Sequence, residues 1–477
     1  MKTRYKVSVL ALSLTFFCSS LYGFDGDTYD LFLPNGMKVI IMEKHASPNV
    51  AVGTFYNVGN RNNIPHNSGI TSIVLRAMTS GTKKYPHDRV QSIRGNYGMD
   101  DFSIVTDDIT MVGSQLPKHE LEFLLDLESD RMQNVIFTES SLTYLKNVHK
   151  HDINMRDGNV QERSSKIVLN NMLPKGHPYS NSWQGEIEQV DSLSVDICQD
   201  FYNRYFTPSN SVLVIVGDVV PDKILPMIYK YFGSINKGSD IPPALDLSFS
   251  FNDNTKIPIF FENGGTLVPP GLDLQVLFIN FKLPSSRHND MSVLDALNEI
   301  IRLDKYRDKE ILNKITKKDR HQKYFFSSIQ DRVGQSNMTF IGYNTLKYVL
   351  PSKIKESFLD GFRHIAEHGV SQGLIDQYKK SYLNSMYGDY YDFTSDAIAL
   401  GYAETVWGDY TRYTDELELV KGLKNEDIKR VAKKYLNEDR IYLSNVNVNK
   451  PKWYMRLIVG PIYNLMVKIN PKLDLYQ

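Results

Sequence analysis

The chain has 477 residues, 42% hydrophobic and 12% aromatic, which is enough for two or more domains with sizeable cores and too apolar for a disordered protein. Lys plus Arg and Asp plus Glu each number 55 with no long like-charge block, so the electrostatic footprint of a nucleic-acid-binding protein is excluded. Cysteines are confined to Cys18 and Cys198, which excludes a disulfide framework and a zinc–thiolate cluster.

The chain opens with the basic Met1-Lys-Thr-Arg-Tyr-Lys6, a short apolar run at 7–17, and small residues in Cys18-Ser-Ser-Leu-Tyr-Gly23. This order reads as a signal peptide over residues 1–23, cut after Gly23. The run is too short to span a bilayer, and Thr15-Phe16-Phe17 ahead of Cys18 lacks the small residues of lipoprotein processing. Cleavage removes Lys2, Arg4 and Lys6 and no acid, leaving 55 − 3 = 52 basic against 55 acidic residues, a formal −3. The expected location is periplasmic or secreted, with Cys198 left as a lone thiol.

Beyond it, Lys38-Val-Ile-Ile-Met42 and Val50-Ala-Val-Gly-Thr-Phe-Tyr56 read as buried strands joined by a polar turn at 44–48. Over 69–82 the apolar residues Ile70, Ile73, Val74 and Ala77 recur at helical spacing and predict one amphipathic helix. Helical periodicity returns over 120–132. Near 200 a helix end carrying Tyr205 runs through a polar turn into an apolar strand around Leu213. The same unit recurs 230 residues on, around Tyr435 and Leu443, with Val190 and Leu193 answered by Val420 and Leu423. A duplicated α/β unit follows, with domains at 24–240 and 255–448 and a Gly-, Ser- and Pro-interrupted linker at 241–254. The second half is expected to hold strands near 274–281 and long helices over 289–313 and 372–405. The apolar extension at 449–477 is broken by Gly460-Pro461, Arg456, Asn464 and Lys468, so it is a poor spanning helix. Packing on the body or on a partner is expected, with shallow membrane contact as the alternative.

Several segments, in their order and spacing, resemble the pitrilysin/insulinase family of zinc metallopeptidases, the inverzincins, and within it the processing-peptidase-like members. Leu33-Pro-Asn-Gly-Met-Lys-Val resembles the family's opening strand, and Val58-Gly-Asn-Arg61 its Gly-Ser-Arg turn. Gly69-Ile70 and Gly81-Thr82 match both ends of its zinc helix, G-I-A-H-F-L-E-H-M-L-F-K-G-T. Gly176-His-Pro-Tyr-Ser180 through Gly185, the run from Phe201 to Asp218, and the segments 369–379 and 423–436 are similar to later family motifs. The resemblance covers residues 28 to 448. It implies an α+β fold of two homologous sandwich domains facing each other in a clam-like arrangement around a chamber.

It also exposes a departure. In H-x-x-E-H the two His, one helical turn apart, hold one zinc ion, and the Glu is general base for the zinc-bound water. Ser72, Leu75 and Arg76 stand at these positions. A hydroxyl is a poor ligand beside imidazole, Leu75 cannot take a proton, and a permanently charged Arg76 repels a divalent cation. The family's third ligand, a Glu about 76 residues beyond the second His, falls at Asp152. A salt bridge between Arg76 and Asp152 in the vacated pocket is therefore expected, one cation replacing another. His66, His87, His149 and His151 are the candidates for a relocated zinc site, but 149 and 151 lie two apart and face different sides of a helix. Members of the family also grip substrate with an Arg and a Tyr of the second half. Here Tyr324 fits the Tyr, the Arg falls at Lys317 or Arg320, and the glycine-rich loop upstream is replaced by Ile300-Ile-Arg-Leu-Asp-Lys305.

The resemblance implies a chain that is proteolytically inactive by itself, with no cofactor, acting as the non-catalytic, peptide-binding or regulatory subunit of a heterodimer with an active zinc-peptidase homologue. Extended or unfolded polypeptide would bind at Asp101, Phe102, Ser103 and Tyr324 by strand addition. The alternatives are an assembly or binding protein with no peptidase partner, and an active metallopeptidase using a relocated zinc.

Overall fold

A computed structural model describes residues 17–19, 27–63, 67–157, 160–180, 185–238, 247, 259–261, 274–304, 311, 322–345, 351–388 and 392–448. His66, Lys317, Arg320, most of the signal segment, most of the linker and the C-terminal extension lie outside these residues. Strands β1 (Phe17–Ser19), β2 (Thr28–Phe32), β3 (Lys38–Glu43) and β4 (Asn49–Tyr56) precede helices α1 (Ile70–Ser80) and α2 (His87–Tyr97). The hairpin β5 (Asp100–Val105) and β6 (Thr110–Pro117) leads to α3 (Leu121–Gln133), α4 (Glu139–Asp157), α5 (Val160–Met172), α6 (Ile187–Asp191) and α7 (Val195–Tyr205). Strand β7 (Ser211–Gly217) and α8 (Pro221–Phe232) close the first half. The second half runs β8 (Ile259–Phe261), β9 (Leu274–Lys282), α9 (Asp290–Asp304), β10 (Gln322–Gln330), β11 (Asn337–Thr345) and α10 (Pro351–His368). It ends with α11 (Gln372–Gly388), α12 (Phe393–Tyr402), a π-turn at Ala403–Trp407, α13 (Thr411–Gly422), α14 (Asn425–Tyr435) and β12 (Ile441–Val448).

The fold is α+β, with two sheets of matching topology. The first has the order β1-β2-β3-β7-β4-β6-β5 and the second β10-β11-β9-β12-β8. Strand β7 is parallel to β3 and antiparallel to β4, and β12 is parallel to β8 and antiparallel to β9. The 230-residue offset holds for α7 against α14 and for the 3-10 turn Pro208–Asn210 against Glu438–Arg440. β7 and β12 begin at the same offset. Ser211-Val-Leu-Val-Ile-Val-Gly217 is buried along its whole length, as an apolar run covered on both faces must be.

The segment at 44–48 is not a hairpin turn. β7, from about 170 residues downstream, lies between β3 and β4, so this segment crosses over it. Nor is Lys44 a solvated turn residue. It is buried, and its Nζ lies 2.6 Å from the Asp396 carboxylate. The helix expected over 372–405 is divided: α11 ends at Gly388, and α12 starts afresh behind Asp392, whose side chain accepts from the Ser395 amide at 3.0 Å. The described part of the helix expected over 289–313 is α9, ending at Asp304.

Two compact units interleave along the sequence. One comprises residues 1–153, 181–246 and 382–419, the other 154–180, 247–381 and 420–477. A crossing at 246/247 falls within the linker expected at 241–254, and four more lie elsewhere. In the first unit α1, α3, α7 and α8 share a core with Val50, Val52 and Tyr56 of β4. Phe55 alternates to the opposite face, where α12 packs so closely that a Cβ on Gly401 would come within 2.3 Å of its ring. The second unit mirrors this arrangement: α5 packs on β9 and β12, with Val168 and Met172 against Val276, Phe278 and Tyr442. Each unit thus borrows a helical segment from the opposite half of the sequence, residues 382–419 in the first and 154–180 in the second. The His-Pro-Tyr segment belongs to the second unit, where Tyr179 lies under the buried Arg332 guanidinium and its hydroxyl accepts from the Gly334 amide at 2.9 Å.

Asp396 holds α12 to the first sheet. Burial pushes its carboxyl above the ordinary value, while hydrogen bonds from Lys44 and from the Tyr413 hydroxyl, at 3.1 Å, oppose the shift. Replacing Lys44 by Met leaves that carboxylate without its cation, at a cost of about 3–5 kcal/mol near neutral pH. Asp396 is then protonated in the folded variant but ionised in the unfolded chain above about pH 4, so folding takes up a proton there. The deficit against the parent protein is expected to grow as pH rises from about 4.5 to 7.5, read by urea unfolding at both ends.

Candidate functional site

Glycine fixes both ends of α1. Gly69 before it has φ +91° and Gly81 after it φ +135°, both in the region that favours glycine. A Cβ at Gly81 would come within 2.8 Å of the His87 amide nitrogen, and one at Gly185 within 2.5 Å of the Ser68 carbonyl oxygen. Ser68 is held further by Gln189, whose side-chain oxygen accepts from its amide at 3.1 Å. Between these ends Ile70, Ile73, Val74, Ala77 and Met78 are buried in the core shared with Leu142, Leu145 and Ile153 of α4. The Val58-Gly-Asn-Arg61 turn braces the neighbouring hairpin: Arg61 pairs with Asp108, and a Cβ at Gly59 would come within 2.5 Å of the Asp107 carbonyl oxygen.

On α1, Ser72 and Leu75 are buried. Arg76, one turn beyond Ser72, donates from Nη2 to the Asp152 carboxylate on α4, and from Nε to His149 Nδ1 at 3.4 Å. The structure therefore brings Arg76 and Asp152 together. The pair is not buried: the two side chains are 35% and 37% exposed, so about 0–1 kcal/mol is the appropriate scale for its stabilisation. His149 is 1% exposed and, as acceptor at Nδ1, carries its proton on Nε2. Its place beneath Arg76 was not legible beforehand, because i,i+2 spacing from His151 gave no geometric reason to single it out. His151 is exposed, and His87, also exposed, lies 3.1 Å from the Ser80 carbonyl oxygen through Nδ1.

These residues do not fit zinc. Ser72 offers a neutral hydroxyl, Leu75 nothing, and Arg76 a fixed positive charge, while the Asp152 carboxylate already holds a guanidinium. Among the described residues no group of three His, Cys, Asp or Glu side chains is placed to hold a metal ion.

Beside this site, β5 ends the first sheet and pairs with β6 alone among the described strands. Asp101 is committed to Arg94, at 2.7 Å from Nε, and to the Ser114 hydroxyl at 2.6 Å. The Phe102 ring covers Gly53 and Gly113, at either of which a Cβ would come within 2.6 Å of it. Ser103 is exposed and Ile104 is 46% exposed, so β5 offers a ligand mainly its backbone edge. In the second sheet β10, which carries Tyr324, occupies the matching edge, with a register shift between Tyr324 and Phe326. The two peptide-binding candidates from the sequence thus lie on topologically equivalent strands.

Comparison with known proteins agrees with this architecture. The family model described as insulinase (peptidase family M16) matches residues 38–183, and that described as peptidase M16 inactive domain matches 192–382. The chain is 21% identical to the zinc protease PqqE of Helicobacter pylori, over 85% of this chain and 89% of that one. It is 20% identical to the alpha-1 subunit of the mitochondrial-processing peptidase of Dictyostelium discoideum, over 47% of this chain and about a third (34%) of that one. A protease from Helicobacter pylori superposes with a TM-score of 0.74 at 18% identity, covering 88% of this chain and 99% of the other. The periplasmic protease PqqL from Escherichia coli gives 0.71 at 14% identity, with 94% of this chain matching 48% of that one.

If the backbone keeps the geometry of a metal site and only the side chains have changed, restoring them restores binding. The variant Ser72→His, Leu75→Glu, Arg76→His, Asp152→Glu is expected to retain about one zinc per chain after dialysis, and the parent protein none, measured by atomic emission.

Proposed function

The chain belongs to the pitrilysin/insulinase family, and we propose that it works there as a non-catalytic, peptide-binding subunit beside an active zinc-peptidase homologue. One observation carries this reading: the guanidinium of Arg76 sits on Asp152, the carboxylate left at the third ligand position. Among the described residues no side-chain group is placed to hold a metal ion, and Leu75 offers no base with which to activate a water. What remains is a β5 edge whose backbone can take an extended polypeptide by strand addition.

A pairing role is supported by likeness to a subunit of mitochondrial-processing peptidase and by the match to about half of the PqqL chain. Export is supported by the signal-like residues 1–23 and by likeness to a periplasmic protease. Among the described residues no helix is long and apolar enough to cross a membrane.

Affinity purification of the tagged full chain from its own cells tests the reading. A homologue with an intact H-x-x-E-H motif is expected to co-purify at fixed stoichiometry. The pair should cleave peptides until a chelator is added, and this chain alone should not. Recovery of the chain without such a partner favours the assembly or binding role. Chelator-sensitive cleavage by the chain alone overturns the proposal.

A further inference from the structure

We infer that Arg76 is itself a ligand-binding residue, donating to a main-chain carbonyl oxygen of the peptide seated on the β5 edge. This rests on the reading above and adds the contact that holds the peptide over the former metal position. A guanidinium has five N–H donors. Nε is directed at His149 and one Nη2 hydrogen at Asp152. Among the described residues Arg76 has no further partner, so three donors remain, on a side chain 35% exposed.

A replacement selected for stability alone has no need of this exposure, since a well-packed apolar pair serves a closed pocket as well or better. The partners also set which oxygen fits. Asp152 cancels the Arg76 charge, and His149 accepts through Nδ1 and is therefore neutral. With no net charge to neutralise, the remaining donors suit an uncharged acceptor such as a peptide carbonyl better than a carboxylate. The helix that carries Arg76, α1, packs against β5. No bond is made or broken: the guanidinium only donates hydrogen bonds and Leu75 cannot activate water, so the peptide is held and released intact.

A library of N-acetylated, C-amidated decapeptides of randomised sequence, retained on the immobilised full chain and identified by mass spectrometry, supplies the probes. Dissociation constants of the retained peptides then follow from fluorescence anisotropy. Arg76→Met is expected to weaken binding about 10-fold or more, the scale of a hydrogen bond to a charged group. Arg76→Lys, which keeps the charge on Asp152 but loses the planar fork, should fall between the two. Uncapping the carboxyl terminus should add no affinity; a gain that Arg76→Met abolishes would assign a carboxylate, not a main-chain carbonyl, as the acceptor and overturn the inference. Should Arg76→Met fail to fold, Arg76→Lys carries the test through the same constants. Parent-like affinity in either Arg76 variant, with binding lost in Ser103→Pro, overturns this inference and leaves the edge-binding reading standing. Retention of no peptide by the parent chain overturns both.

Discussion

The apolar face of α1 determines where everything else at the site lies. Ile70, Ile73, Val74, Ala77 and Met78 are buried against the first sheet and α4, and each large aliphatic side chain so buried is worth roughly 1.5–3 kcal/mol. None of these residues is a ligand position. The helix is therefore seated by packing and its ends by Gly69 and Gly81, so the seat of positions 72 and 76 beside α4 does not depend on the side chains they carry. Chemistry at those positions can change while the scaffold stays.

Charge is the second constraint. Asp152 stands at the position that matches the family's third ligand by spacing, and Arg76 sets a cation against it from α1. Because both side chains are about a third exposed, the pair adds little to stability, and the guanidinium keeps donors to spare. The buried charges that bear on stability lie elsewhere, in Lys44 with Asp396 and in Glu128 with Arg131. Burial raises the Glu128 carboxyl despite that Arg131 contact, as it does Asp396. Lys44 and Asp396 tie α12 to the opposite face of the sheet, Glu128 and Arg131 lie in α3 on the same side as α1, and the Arg76–Asp152 pair stays partly exposed.

Local pattern made α1 legible almost to the residue, because helical spacing and two flanking glycines are properties of fourteen consecutive positions. Convergence of Arg76 and Asp152 was legible through family spacing, not through periodicity. The duplication at a 230-residue offset was visible in Tyr205, Tyr435, Leu213 and Leu443, and it recurs as one order of five strands, β3-β7-β4-β6-β5 in the first sheet and β8-β12-β9-β11-β10 in the second. Long-range pairing was not legible. Nothing in residues 38–56 says that β7 inserts between β3 and β4, since a strand's partner is set by the packing of the whole sheet. Nor did composition show that α12 covers the first sheet and α5 the second, because Gly401 and Phe55 are ordinary residues until they meet. The break before α12 had a local signal in Asp392 and Ser395, a side-chain cap that an otherwise helical pattern concealed.

A crystal of the mature chain grown with excess zinc, with diffraction recorded on both sides of the zinc absorption edge, addresses the central claim most directly. If Arg76 has replaced the metal, the density shows the guanidinium on the Asp152 carboxylate and no anomalous peak within coordinating distance of it. A zinc peak bound by Asp152, with Arg76 displaced and His149 turned towards the ion, would contradict the account.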